Sequence, residues 1–164
     1  HEKNINKSIE VNIIGTANIV RACKNNNVKL IFFSTNFVYP GTKGHYNEND
    51  HLSPINNYGW SKLGGESAVQ MYKNSLILRL CMTEKPFIHK YAFSNVNTNF
   101  MFHEDFAKIF YKLINKKGVI NVGGKRQTVF NFAKSENKNI RKKTSNGLFL
   151  DQSMNIKKFE NIIS

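Results

Sequence analysis

Two cysteines, three prolines and one tryptophan are all that 164 residues supply of these types, and each scarcity removes a class of structure. Cys23 and Cys81 are too few for a disulfide framework, and no Cys-x-x-Cys or paired-His spacing makes a metal site. Such cysteine usage fits a reducing cytoplasm. Apolar runs such as Leu76 to Leu80 break off well short of the roughly 20 residues a membrane span needs, so no transmembrane helix is expected. Acidic residues are also scarce, with 11 Asp and Glu against 24 Lys and Arg and a formal net charge of +13. That balance raises the question of polyanionic partners. The surplus is lysine amid abundant asparagine, with Arg21, Arg79, Arg126 and Arg141 as the only arginines. The densest basic stretch, Lys134 to Lys143, lacks the interleaved aromatics of a single-strand platform and reads as solvated surface, not as a nucleic-acid interface.

What is present is enough for a core: 40% of residues are hydrophobic and 12% aromatic, too many for a disordered chain. Ile5, Ile9, Ile13 and Val20, with Ile14 and Ala17 between them, recur near a period of 3.6 and predict an amphipathic helix over 5–23, ended by Asn25-Asn26-Asn27. Val28 to Phe33 is a short, nearly continuous apolar run, the pattern of a strand buried on both faces of a parallel sheet. The turn-rich segment Pro40 to Pro54 is long for a plain connector and is expected to lie over a site. Helical spacing returns over 57–71, and Leu76 to Leu80 predicts a second buried strand. Further on, 99–102 and 118–122 read as short strands, and 103–114, 129–134 and 156–163 as helices. The alternation implies an α/β class: a doubly wound parallel sheet with a small appended lobe.

Chemistry concentrates at Tyr58 and Lys62, whose separation of four puts both on one face of the predicted helix. An ammonium near a phenol favours phenolate and is expected to lower a tyrosine pKa from about 10. Upstream, Ser34-Thr35-Asn36-Phe37 places small hydroxyls at the C-terminal end of a parallel strand, where open α/β sheets bind ligands. Three stretches carry a family resemblance: Val11 to Asn18, Ser34 to Tyr39, and Asn57-Tyr58-Gly59-Trp60-Ser61-Lys62-Leu63-Gly64-Gly65-Glu66. They resemble the extended short-chain dehydrogenase/reductases, and within them the dTDP-4-dehydrorhamnose reductase branch of nucleotide-sugar enzymes. His103 to Ala107 and Gly118 to Gly124 are similar to the family's late helix and strand, so the resemblance implies a partial Rossmann-like, doubly wound parallel sheet over 1–95 and a small C-terminal substrate lobe over 96–164.

The resemblance implies hydride transfer between NADP or NAD and a nucleotide-linked 4-keto-6-deoxy sugar. Tyr58 would donate a proton to the carbonyl oxygen, Lys62 would tune Tyr58 and hold the nicotinamide ribose, and Thr35 would orient the reacting oxygen. Ser34 and Leu80 join Tyr58 and Lys62 on the cofactor side; Asn36, Phe37 and Arg79 join Thr35 on the substrate side. Asn12 would support Lys62 through a water or brace the structure. The partners implied are the nucleotide sugar, with a homodimer as the assembly allowed, and neither nucleic acid nor membrane. An epimerase of the same superfamily uses the same trio, and a non-catalytic cofactor-sensing or binding member is the alternative from another class.

This sequence departs from the family in two places. Asn36 stands where the branch carries Asp after the Thr, and Asn36 with Phe37 argues against dehydration. The Gly-x-x-Gly-x-x-Gly turn that cradles a cofactor pyrophosphate is not in the sequence. With no Met at His1, the expectation is that the chain begins about midway through the cofactor domain and exposes apolar faces of the first helix and strand. Glu48, Asp50 and Glu66 read as loop surface or helix contacts, Trp60 as packing, Lys85, His89, Lys90 and Arg126 as surface charge, and the scattered histidines as non-ligands.

Overall fold

Helix feeding strand is the repeat that organises the molecule, and the computed structural model describes it over residues 4–164. The first helical run has three parts: α1 (Ile5–Ser8), a π-helical stretch Ile9–Gly15, and α2 (Thr16–Asn25). Asn27, with φ of 52°, turns the chain into β1 (Leu30–Thr35). After a 3-10 turn at Asn36–Val38 and a long loop come α3 (Asn57–Gln70), β2 (Ser75–Leu80) and β3 (Met82–Thr83). Short strands β4 (Tyr91–Phe93), β5 (Asn97–Thr98) and β6 (Met101–Phe102) follow, then α4 (His103–Ile109), a 3-10 turn at Phe110–Lys112 and β7 (Gly118–Val122). The chain closes through β8 (Gln127–Thr128), α5 (Val129–Glu136), β9 (Arg141–Lys143) and α6 (Lys157–Ile163).

Three parallel strands in the order β1-β2-β7 form the central sheet. Phe32, Ile77 and Val119 share one rank of the register, on the face that meets Val69 of α3 and Val20 of α2. Leu76, Leu78, Leu80, Ile120 and Val122 occupy the opposite face against Phe106 of α4, Leu113 and Phe159 of α6. Helices on both faces make the sheet doubly wound. A fully buried side chain such as Leu78 contributes roughly 1.5–3 kcal/mol, and these two clusters hold the sheet in place. Among the described residues no helix is long and apolar enough to cross a membrane.

The second layer pairs β3 with β6 and β4 with β9 in parallel, and β5 with β8 antiparallel. Phe87, Ala92, Phe102, Phe130, Phe132, Ala133 and Ile140 form its own core. This lobe does not begin at residue 96 and run to the end, as the sequence suggests. Strand β4 already belongs to it through Ala92, whereas Met82 of β3 packs on the central sheet and α4, β7 and α6 return to it, because β7 completes the parallel pairing and Phe106 and Phe159 fill one face.

Two further expectations are corrected. The first strand is not buried on both faces: Val28 lies outside it and Phe33 is 42% exposed, because β1 has a sheet partner on one side among the described residues. Phe33 instead meets the ring edges of Phe106 and Phe110. The helix expected over 103–114 is shorter, since α4 tightens into a 3-10 turn after Ile109.

Candidate active site

The end of β1 and the start of α3 are fastened to each other by local chemistry. Thr35 caps the 3-10 turn, its Oγ1 accepting from the Phe37 N–H at 3.3 Å. Asn56 caps α3 by accepting from the Gly59 N–H at 2.8 Å. Gly59 is required there, because a Cβ would lie 2.4 Å from the Phe37 carbonyl oxygen. The first turn of α3 can therefore sit directly over the strand end.

That close approach brings the Tyr58 phenol into a hydrogen bond with the Thr35 hydroxyl, with the Phe37 ring edge-on to Tyr58 at 6.3 Å. Lys62, one turn on, places its ammonium 4.2 Å from the centroid of the Phe32 ring. Thr35, Tyr58 and Lys62 line one cleft of about 420 Å³ together with Ser34, Asn36, Phe37 and Leu80. Phe33, Met82, Phe100 and His103 complete it. Sequence reasoning passed over these last four; the position of His103 at the junction of a strand and a helix is the signal that could have flagged it.

Burial pushes Tyr58 above its ordinary pKa, and the Thr35 hydrogen bond only tempers the rise. The expected lowering by Lys62 is thus corrected: desolvation dominates. Burial also lowers Lys62, with the negative charge of Glu66 opposing the change. A protonated phenol and a partly desolvated ammonium in one cleft suit proton donation to an oxygen that is gaining negative charge.

Other sequence-predicted residues divide clearly. Asn12 donates from Nδ2 to Ser61 Oγ at 2.9 Å, and Ser61 Oγ to the Tyr58 carbonyl at 2.8 Å, so Asn12 braces the α3 backbone between the two cleft residues. Asn36 donates to the Gln152 carbonyl at 3.3 Å, tying the strand end to the late chain. Arg79, expected to meet substrate, is 2% exposed and paired with Glu66; it cannot reach a ligand in the cleft. Glu66, read as a surface or helix contact, is completely buried for the same reason, and Trp60 is 55% exposed, not packed. Glu48 is no free loop acid either, since its Oε1 accepts from the Asn121 N–H at 3.0 Å.

Phe37 and Phe100 also form part of a second cavity of about 630 Å³ in the lobe, whose lining includes His89, Lys90 and Lys143. Lys85 pairs with Glu136 at 3.3 Å, and Arg126 donates from Nε to Asp151 at 3.1 Å, so those two cations are engaged elsewhere.

A doubly wound parallel sheet with Thr, Tyr and Lys converging at its C-terminal edge defines an extended short-chain dehydrogenase/reductase. Residues 1–86 match the family described as the RmlD substrate binding domain, and the chain belongs to that family. It is 38% identical over 81 residues to the probable low-salt glycan biosynthesis reductase Agl14 of Haloferax volcanii, a match covering 48% of this chain and 27% of that protein. The matched segment thus spans about a quarter of that relative's length. Among solved structures, a hypothetical dTDP-4-dehydrorhamnose reductase from Sulfolobus tokodaii superposes with a TM-score of 0.85 at 26% identity, over 99% of this chain and 70% of that one. A dTDP-4-dehydrorhamnose reductase from Bacillus anthracis in complex with NADP shares the fold with a TM-score of 0.84 at 21% identity, over 98% and 67% of the two chains.

Proposed function

We propose that this chain carries the proton-donating site of a reductase that acts on the ketone of a nucleotide-linked 4-keto-6-deoxy sugar with NADPH or NADH. The observation that carries the reading is the Tyr58–Thr35 hydrogen bond in a cleft that Lys62 also lines. The cleft suits the nicotinamide end of such a cofactor: Leu80 and Met82 give an apolar wall, while Tyr58 and Lys62 offer a hydroxyl and an ammonium beside it. A bound reduced nicotinamide supplies the hydride to the sugar carbon.

The chain's own residues do the rest. Thr35 orients the ketone oxygen, and Tyr58, held protonated through neutral pH by burial, delivers its proton as alkoxide character develops. Lys62 contributes positive charge along the same wall and holds the ribose. The lobe cavity takes the nucleotide, with Lys90 and Lys143 placed for its diphosphate. We assign this activity to the cytoplasm, on the two free cysteines and a need for reduced cofactor.

The test is the full-length enzyme with a keto-sugar nucleotide. Net oxidation of NADPH or NADH is expected, and Tyr58→Phe should lower turnover by about 100-fold or more. Interconversion of sugars without net cofactor oxidation would identify an epimerase instead, and no turnover with retained cofactor binding would identify a non-catalytic member.

A further inference from the structure

Beneath the cleft lies a polar layer that reaches the cleft wall at Ser34 and takes no part in the proposed proton transfer. Ser34 of β1, Arg79 of β2 and Asn121 of β7 share one rank of the sheet register, and all three are buried. They lie on the α3 face, directly after the apolar rank of Phe32, Ile77 and Val119. Glu66 reaches this rank from α3: its carboxylate accepts from Ser34 Oγ at 2.8 Å and from Arg79 Nε at 3.1 Å, and Arg79 Nη2 closes the ion pair. Arg79 Nη1 donates to the Tyr39 hydroxyl at 2.7 Å and the Glu48 carbonyl at 2.8 Å, and the Tyr39 hydroxyl donates to Asn121 Oδ1 at 2.9 Å.

The two ends of this network attach beside the two partners of the proton-donating contact. Glu66 follows Lys62 by one helical turn and Tyr58 by two, on one face of α3. Ser34 immediately precedes Thr35. We infer that Glu66, Ser34 and Arg79 are positioning residues that fix how α3 is set against β1 and so align Tyr58 with Thr35 for proton delivery. A buried ion pair is a weak source of net stability beside well-packed apolar side chains, whereas directional bonds that join a helix to several strands specify one mutual setting. The neighbouring Phe32, Val69 and Ile77 show that an apolar contact would serve this interface if burial alone were needed. The inference rests on Tyr58 being the proton donor and adds the residues that aim it.

The test compares Ser34→Ala and Glu66→Gln with the unaltered chain, labelled with 13C at the tyrosine ring Cζ and with Tyr58 assigned through Tyr58→Phe. Ser34→Ala changes no charge; Glu66→Gln lies outside the cleft lining. The ionisable groups facing the Tyr58 cleft, Lys62 on α3 and His103 on α4, are unaltered in both. In Ser34→Ala the Tyr58 titration midpoint should move upward as the Thr35 bond loosens. In the full-length enzyme, kcat should fall about 100-fold in both variants while KM for the sugar nucleotide stays within about threefold. Folded variants that melt lower but keep the Tyr58 midpoint and kcat overturn the inference and leave the network purely structural. If Glu66→Gln does not fold, Ser34→Ala decides, since it removes a single hydroxyl. A Tyr58 midpoint that moves in a protein with no reductase turnover supports the positioning and removes the reductase reading, so the two fail separately.

Discussion

A cation inside a buried strand has to be neutralised where it stands, and Arg79 shows the consequence. Arg79→Met leaves the buried Glu66 carboxylate without its ion-pair partner and should destabilise the fold by about 3–5 kcal/mol in urea titration. Glu66→Leu combined with Arg79→Met should recover most of that loss. Thr35→Val should raise the Tyr58 midpoint, since it removes a hydrogen bond that opposes the effect of burial there. Asp151 supplies a pH dependence of known sign. Burial works against its ionisation, but hydrogen bonds from Arg126 and Ser153 prevail and hold its pKa below the ordinary carboxylate value. Its contribution is therefore complete above the unfolded pKa of about 4 and is lost as pH falls through the lower folded value. Asp151→Asn should flatten the acid limb of a stability-against-pH curve. At this scale spacing and strand-end placement were enough to single out Thr35, Tyr58 and Lys62 as candidates, and the structure brings the three to one cleft. The sequence concealed the role of Arg79, because Leu76-Ile77-Leu78-Arg79-Leu80 shows a charge at a strand end without showing which way it points. Its partner lies 13 residues earlier on a helix, and only the register reveals the pairing.

Among the secondary-structure elements, α3 is the one on which the site depends, and its glycines record how close it must come. A Cβ at Gly65 would lie 2.4 Å from the Asn12 carbonyl oxygen and 3.0 Å from Phe32 Cζ. Gly65→Ala should force α3 away from the π-helical stretch and cost roughly 1–3 kcal/mol by thermal melting, despite alanine's better helix propensity. The strong signals in the sequence were long-period ones. The runs that became β1, β2 and β7 follow from stacking parallel strands, while the apolar stripe over 5–23 became a helical run in which Val20 meets the sheet and Ile13 meets α3 but Ile5, Ile9 and Ile14 stay exposed. The π-helical turn left no such signal, because it arises where Asn12 and Ile13 pack against α3, not from local preference. Nor did most lobe strands, which are two or three residues long and pair with segments far along the chain.

For the molecule as a whole, charge and exposed apolar surface act in opposition. Ile5, Ile9, Val11, Ile14 and Ile19 of the first helical run are exposed, as are Val28 and Phe33. The isolated chain should self-associate despite its net charge of +13, and light scattering after size exclusion should show species above the monomer mass. Val11→Lys with Ile19→Lys should shift that distribution toward monomer without lowering the melting temperature.

The backbone leaves the central sheet after β2, returns at α4, leaves again after β7 and returns at α6, so the two layers are woven, not joined in series. A lobe threaded in this way cannot be lifted out as a cassette and replaced by a neighbour's. A change in what the two cavities accept therefore falls on individual side chains of their shared lining, such as Phe37 and Phe100, while the weave stays as it is.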